Sequence, residues 1–244
     1  MRKHIPNLIT LLNLFSGCIA VIFAVNDDLE YAAYFVFLGI FFDFFDGFAA
    51  RALKVQSELG LQLDSLADMV TSGVVPGIAM YQMLQWSTGD VVPTTMTETM
   101  AWKEFNFLPL FGLLITLASA YRLANFNIDT NQTNSFIGLP TPANTLLILS
   151  FPLILQFENG EGLHEFVLNK WFLIILTLVS SYMLNAKIPL FALKFKTWGF
   201  RTNAVRYIFL FLSVCMIATM QYLAIPFIII LYVALSIIVK LIKW

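Results

Sequence analysis

Long apolar runs separated by short polar connections dominate this chain. We predict that eight of them form membrane-spanning helices, for which the usual length is about 17–25 residues. Their approximate bounds are 8–25, 31–53, 60–84, 106–121, 140–157, 171–184, 207–222 and 225–239. The last two runs are separated only around residues 224–226. The pattern predicts an all-α, polytopic transmembrane helical bundle of about eight spans without a separate soluble domain.

The composition supports this interpretation. Hydrophobic residues make up 59% of the chain and charged residues 12%, whereas a soluble domain is typically about 45–50% apolar and about 25% charged. The formal net charge is −1, so no electrostatic argument favours a nucleic-acid partner. The partners we expect are therefore membrane lipids and small molecules.

The basic residues are distributed unevenly between alternate connections. With the N-terminus in the cytoplasm, every one of the 14 Lys and Arg residues except Lys103 and Lys170 falls on the cytoplasmic side. Cytoplasmic loops of membrane proteins carry such an excess. We therefore expect both termini in the cytoplasm, with the end of the second span and the start of the third near the same face.

Four aspartates gather around the connection between the second and third spans. Asp43 and Asp46 are three residues apart and Asp64 and Asp68 are four apart, so each pair shares one face of a helix. A short polar elbow at 53–58 would turn both pairs toward one point. Each intramembrane carboxylate costs about 2.5–3.5 kcal/mol, and divalent cations with oxygen ligands relieve their mutual repulsion. An ion-transport pathway is the alternative interpretation from another class.

Other residues accompany these aspartates at fixed spacings. The whole pattern is Asp43-x2-Asp46-Gly47-x2-Ala50-Arg51-x8-Gly60-x3-Asp64-x3-Asp68. It resembles the complete signature of the CDP-alcohol phosphatidyltransferases, and eight fixed residues at set spacings make a chance match very improbable. The resemblance implies a six-span catalytic core over residues 1–185. Residues 186–244 then form a basic cytoplasmic segment and a C-terminal pair of spans.

The resemblance also implies roles for individual residues. Asp43, Asp46, Asp64 and Asp68 would bind two Mg²⁺ or Mn²⁺ ions, and Asp68 would act as general base on the acceptor hydroxyl. The residues expected at the CDP and phosphate groups of the donor are Asp46, Gly47, Ala50, Arg51, Gly60, Asn7 and Thr10.

The polar residues of the first span have two interpretations. Asn7, Thr10 and Asn13 recur at helical spacing near the start of this span. Asn7 would cap the helix while the other two make interhelical hydrogen bonds, or all three would reach the ligand site. Both interpretations stay open at this point.

Three further stretches resemble the phosphatidylserine synthase branch of the family. They are residues 5–17 (IPNLITLLNLFSG), 121–127 (YRLANFN) and 138–143 (GLPTPA). This branch implies CDP-diacylglycerol as donor, L-serine as acceptor and CMP as product. It also implies a homodimer in a prokaryotic inner membrane, and the distribution of Lys and Arg predicts that the active site lies toward the cytoplasm.

The acceptor would be held by polar residues that follow the fourth span. Arg122 is the candidate for the serine carboxylate, because a guanidinium binds carboxylates bidentately; its alternative role is a cytoplasmic anchor. We expect Asn125, Asn127 and Thr141 to assist. Asn125 departs from the family's usual second arginine, so a sister enzyme that uses glycerol 3-phosphate or another polyol is an open alternative.

Overall fold

The computed structural model describes residues 4–89, 106–128, 136–191 and 199–242. Helices make up most of these residues, which confirms the all-α prediction. The α-helices in these ranges are α1 (Ile5–Val25), α2 (Leu29–Leu53), α3 (Glu58–Asp68), α4 (Val75–Thr88), α5 (Leu114–Ile128), α6 (Thr141–Phe157), α7 (Glu161–Val167), α8 (Lys170–Asn185), α9 (Phe200–Met220) and α10 (Ala224–Ile242). Short 3₁₀ helices, Leu108–Leu113 and Gln221–Leu223, lead into α5 and α10.

A π-helical turn, Met69–Val74, interrupts the third predicted span between α3 and α4. Pro76 has no N–H to donate to the Ser72 carbonyl, so regular α-helical hydrogen bonding fails at this point. Side chains of neighbouring helices reach the carbonyls instead. Thr145 Oγ1 lies 2.9 Å from the Ser72 oxygen, and Thr116 Oγ1 lies 3.0 Å from the Gly73 oxygen. The turn is therefore held from both sides, directly after Asp68.

Two segments expected to be connections are helical. Helix α5 continues to Ile128, although the apolar run ends at about residue 121, because Arg, Leu and Ala favour helices even where the sequence becomes polar. The expected polar connection before the sixth span contains α7, whose axis is bent by 53° from that of α8. As a result, Arg122 and Asn127 are held on a helix rather than on a loop.

A two-residue β-pairing was not expected from the sequence. Phe136–Ile137 pairs antiparallel with Pro189–Leu190. Gly138 follows with φ of +75°, a conformation that suits glycine, and its N–H donates to the Ile188 carbonyl at 3.0 Å. This pairing fixes the chain just before α6 against the segment after α8.

Small side chains form the contact between α1 and α2. Ala20, Ala24, Ala32, Ala33 and Val36 are all fully buried. Small residues let helix backbones approach closely, which is the usual packing of membrane helices. The main apolar core extends from this contact across α4, α6 and α8. A second, separate cluster of buried residues consists of Leu139, Leu190, Phe209 and Tyr232.

Four helical stretches in the described ranges are long and apolar enough to cross a membrane. They are Ile5–Val25, Leu29–Leu53, Leu108–Ile128 and Asn203–Leu241, and the bent α7–α8 pair makes a fifth if it is one span. Many large apolar side chains lie on the exterior, such as Phe44 at 66% exposed and Phe211 at 69%. These features indicate a membrane-embedded protein. The expected count of eight spans is not confirmed.

The division at residue 185 stays a prediction. Lys194 and Lys196, which belong to the expected basic segment, lie outside the described residues.

Candidate active site

The elbow between α2 and α3 has well-defined ends. Helix α2 ends at Leu53, and its C-cap residue Lys54 adopts the left-handed conformation with φ of 55°. Ser57 caps α3, since its side chain accepts a hydrogen bond from Gly60 N at 3.1 Å. Helix α1 packs against both α2 and α3. The two aspartate-bearing segments therefore converge on one side of α1.

Three of the four aspartates form a compact cluster. Asp43, Asp64 and Asp68 each place one carboxylate oxygen so that these atoms lie within 4.8 Å of one another. All three side chains are half-buried. Like charges at this separation repel strongly in a partly buried site. A group of carboxylate oxygens this close fits a hard divalent cation such as Mg²⁺ or Mn²⁺.

Asp46 occupies a different position. It is buried, at 6% exposed, and is not a member of the compact cluster formed by the described residues. Its Oδ2 accepts a hydrogen bond from Thr10 Oγ1 at 2.6 Å, and it interacts electrostatically with Arg51. Asp46 therefore lies between the cluster and the neighbouring cleft, and its role as a metal ligand stays a prediction.

A cleft of about 500 Å³ adjoins the cluster at the elbow, a size typical of small-molecule sites. All seven residues expected at the donor nucleotide line it: Asn7, Thr10, Asp46, Gly47, Ala50, Arg51 and Gly60. The sequence reasoning did not name several other lining residues, including Gln56, Ser57 and Glu58. They belong to the polar elbow. Because the elbow lies between the two aspartate pairs in the sequence, its polar residues could have been predicted to line the site.

The glycine at position 60 leaves room in this cleft. A Cβ atom there would lie 3.2 Å from both Asn7 Oδ1 and Ser57 Oγ, closer than ordinary van der Waals contact. The absence of a side chain thus keeps the wall between α1 and the elbow open.

The polar face of α1 supports the aspartates. Asn13 is fully buried, and its Nδ2 donates to Asp68 Oδ1 at 3.5 Å while its Oδ1 accepts from Thr71 Oγ1 at 2.8 Å. Together with the Thr10–Asp46 bond, this confirms the interhelical hydrogen bonds expected of Thr10 and Asn13. The expected cap by Asn7 is wrong, because His4 occupies the N-cap position.

The expected acceptor residues are only partly brought together. Arg122 is 9% exposed, its Nη1 donates to Thr141 Oγ1 at 3.5 Å, and it interacts electrostatically with Asp68. Asn127 Oδ1 accepts a hydrogen bond from Ser65 Oγ at 3.0 Å, next to the cluster. Asn125 is exposed on α5, and the structure does not place it with the others.

The fold and the site together define a membrane-embedded helical protein in which a carboxylate cluster suited to divalent metal borders a polar cleft. The family model for CDP-alcohol phosphatidyltransferases matches residues 3–183. The chain belongs to this family and is therefore a phosphatidyltransferase enzyme.

Curated relatives agree with this family. Over 155 residues the chain is 35% identical to the CDP-diacylglycerol–serine O-phosphatidyltransferase of Bacillus subtilis (strain 168), covering 61% of this chain and 76% of the relative. Over 242 residues it is 27% identical to the enzyme of the same name from Helicobacter pylori (strain 26695), covering 98% and 90%. It is also 30% identical to the archaetidylserine synthase of Methanothermobacter thermautotrophicus over 153 residues, or 61% and 58% of the two chains.

Proposed function

We propose that this enzyme transfers the phosphatidyl group of CDP-diacylglycerol to the hydroxyl of L-serine, giving phosphatidylserine and CMP. The observation that carries the proposal is the position of Asp68, which belongs to the carboxylate cluster and also interacts with the buried Arg122. One site thus combines a carboxylate cluster suited to divalent metal, a cleft large enough for a nucleotide, and a guanidinium that would bind the carboxylate of the acceptor. The names of the relatives support serine as the acceptor.

Asp43, Asp64 and Asp68 would hold divalent metal, and Asp46, three residues after Asp43 on α2, would be the fourth ligand. We propose Mg²⁺ or Mn²⁺ as the cofactor, with two ions bound. When bound, such ions neutralise charge on the transferred phosphate and on the leaving group.

The cleft beside the cluster would bind the cytidine diphosphate of the donor. Thr10 holds Asp46 in place, and Arg51 lies at an exposed position in the cleft lining where it would pair with a phosphate. The acyl chains would remain in the bilayer, next to the apolar exterior of α2. This arrangement leaves the nucleotide product at the polar end of the helices.

Asp68 would act as general base. It would take the proton of the serine hydroxyl, whose oxygen then bonds to the β-phosphorus while the bond from that phosphorus to the bridging oxygen breaks. The electron pair of the broken bond leaves with CMP. A base next to the hydroxyl matters because an alcohol is a weak nucleophile near neutral pH. Asn13 would keep the Asp68 carboxylate in position through its hydrogen bond.

We further propose eight membrane crossings, with both termini and the active site on the cytoplasmic side of a prokaryotic inner membrane, and a homodimeric assembly. The uneven distribution of Lys and Arg supports the orientation. The long, strongly apolar helices would account for some of these crossings. The others would be α3 and α4 together, joined by the π-helical turn, and helices α6 and α8.

The function is tested by CMP release from the purified protein with CDP-diacylglycerol and Mg²⁺ or Mn²⁺. Serine, glycerol 3-phosphate and inositol are offered separately. We expect CMP release with serine alone and loss of release when the metal is chelated. Release with a different alcohol would assign the chain to a sister activity, whereas no release from folded protein with any alcohol would contradict the proposal and favour ion transport.

A further inference from the structure

One amide side chain of α1 connects the π-helical turn to the aspartate cluster. Asn13 is fully buried and contacts both Asp68, at the end of α3, and Thr71, in the turn. Its Nδ2 donates to Asp68 Oδ1 at 3.5 Å, and its Oδ1 lies 2.8 Å from Thr71 Oγ1. Thr71 is buried as well, at 1% exposed. Two successive hydrogen bonds therefore lead from Thr71 through Asn13 to Asp68.

The chemistry of the three groups fixes the direction of both hydrogen bonds. An ionised carboxylate only accepts hydrogen bonds, so the amide must turn its NH₂ group toward Asp68. The amide oxygen then faces Thr71, whose hydroxyl must donate, because the amide oxygen has no proton of its own. The Asn13 backbone carbonyl is a more distant acceptor, at 3.4 Å from Thr71 Oγ1. An amide rotated by 180° would instead place its oxygen against the carboxylate of Asp68.

Two glycines leave room for this threonine. Gly17 lies one turn after Asn13 on α1, and a Cβ atom there would collide with Thr71 Oγ1. A Cβ atom at Gly39 of α2 would lie 2.7 Å from Thr71 Cγ2 and 2.8 Å from Asn13 Oδ1. A side chain at either position would displace the hydroxyl or the amide. Helices α1 and α2 thus enclose the bond between Thr71 and Asn13 from two sides.

We infer that Thr71 is a positioning residue for Asp68, the proposed general base, and that it acts through Asn13. Its hydroxyl holds the Asn13 amide in the orientation that donates to the carboxylate. A base must lie within hydrogen-bond reach of the proton that it takes, so the position of the carboxylate affects the chemical step and not the binding of substrates. This inference rests on the proposed function, because it assumes that Asp68 takes the proton of the acceptor hydroxyl.

The test is the Thr71→Val variant, assayed by CMP release from the purified full-length enzyme with Mg²⁺ or Mn²⁺. Valine keeps the branched shape but has no proton to donate, so it no longer selects one orientation of the amide. Turnover is expressed per donor-binding site, counted with radiolabelled CDP-diacylglycerol, so that misfolded molecules are left out. It should fall about three- to tenfold. The KM for serine and the affinity for the donor should stay within about twofold of the wild type.

Three comparisons separate positioning from a general effect on the turn. Ser72→Ala is the matched control, because the neighbouring Ser72 hydroxyl is buried without a hydrogen-bond partner among the described residues; its turnover should equal that of the wild type. Thr71→Ser retains the hydroxyl and should keep most of the wild-type turnover. In an Asn13→Ala background, Thr71→Val should cause no further fall, because the two residues act as one unit. Thr71→Ala serves in place of Thr71→Val if valine prevents folding.

Unchanged turnover per site in Thr71→Val, or in Thr71→Ala where that replaces it, would overturn the inference. An equal fall in Ser72→Ala, a further fall in the Asn13→Ala background, or a rise in the KM for serine without a fall in kcat would also overturn it. Absence of serine-dependent CMP release by the wild type would overturn the proposed function, and this inference with it. Wild-type turnover with an unaffected Thr71→Val variant would overturn only the inference.

Discussion

At the scale of single residues, Asp68 differs from the other aspartates by its neighbours. It shares the carboxylate cluster with Asp43 and Asp64, accepts a hydrogen bond from Asn13, and interacts with Arg122. Asp46, in contrast, faces the cleft and is held by Thr10. These environments support a division of roles in which Asp68 serves the acceptor and Asp46 serves the donor.

Replacing Asp68 with Asn tests that division. The variant keeps the shape of the side chain and its contact with Asn13 but removes the base, so turnover should fall by about 10²-fold or more. Binding of radiolabelled CDP-diacylglycerol, measured separately, should weaken by less than about threefold, because the cleft residues are unchanged. Gln62→Ala, at an exposed position on the same helix, is the control and should remain active. Full turnover by Asp68→Asn would exclude the base assignment.

At the scale of secondary structure, the π-helical turn sets the direction of the chain after Asp68. Pro76 removes one backbone donor from this region, and Thr145 on α6 and Thr116 on α5 reach its carbonyls. The end of the helix that bears Asp64 and Asp68 is therefore tied to two other helices. Helix α6 therefore helps to position the aspartate cluster, although α6 contributes no carboxylate to the cluster.

Thr145→Val tests the importance of this support. Valine has nearly the same shape but no hydroxyl, so the one donor within 2.9 Å of both the Ser72 and the Thr141 carbonyls is lost from a buried environment, at a cost of about 1–3 kcal/mol. We expect a lower midpoint of thermal unfolding and a lower kcat, with the KM values little changed. Thr145→Ser retains the hydroxyl and should restore most of both properties. Equal behaviour of the two variants would show that the hydrogen bond is unimportant.

At the scale of the whole molecule, the carboxylate cluster, the cleft and Arg122 lie near one end of the helices. The polar ends of α2 and α3, the N-terminal part of α1 and the start of α6 meet there. The water-soluble acceptor and nucleotide product that we propose would require this end to be open to an aqueous compartment. The excess of Lys and Arg in the connections predicts that this compartment is the cytoplasm.

Cysteine labelling tests the orientation across α8. Glu165 and Lys187 are exposed near its two ends, and a single cysteine is placed at either position after Cys18 and Cys215 are replaced with serine. A membrane-impermeant maleimide should label Glu165→Cys in intact cells, and Lys187→Cys only after permeabilisation. Labelling of both positions from the same side would mean that the α7–α8 pair does not cross the membrane.

The sequence by itself determined the helical class, the bounds of most helices and seven of the residues that line the cleft. It could do so because apolar runs and helical spacing are local properties, and the aspartate pairs lie on either side of one short elbow. The seven predicted donor residues line one cleft for the same reason.

Only the tertiary structure decided the rest. It separated Asp46 from the compact cluster, left Asn125 exposed, broke the third predicted span at a π-helical turn, and packed Tyr232 against Leu139. Each outcome depends on contacts between residues far apart in the chain, such as Thr145 with Ser72 or Tyr232 with Phe191. Local spacing contains no information about these contacts, because they arise only when the helices pack.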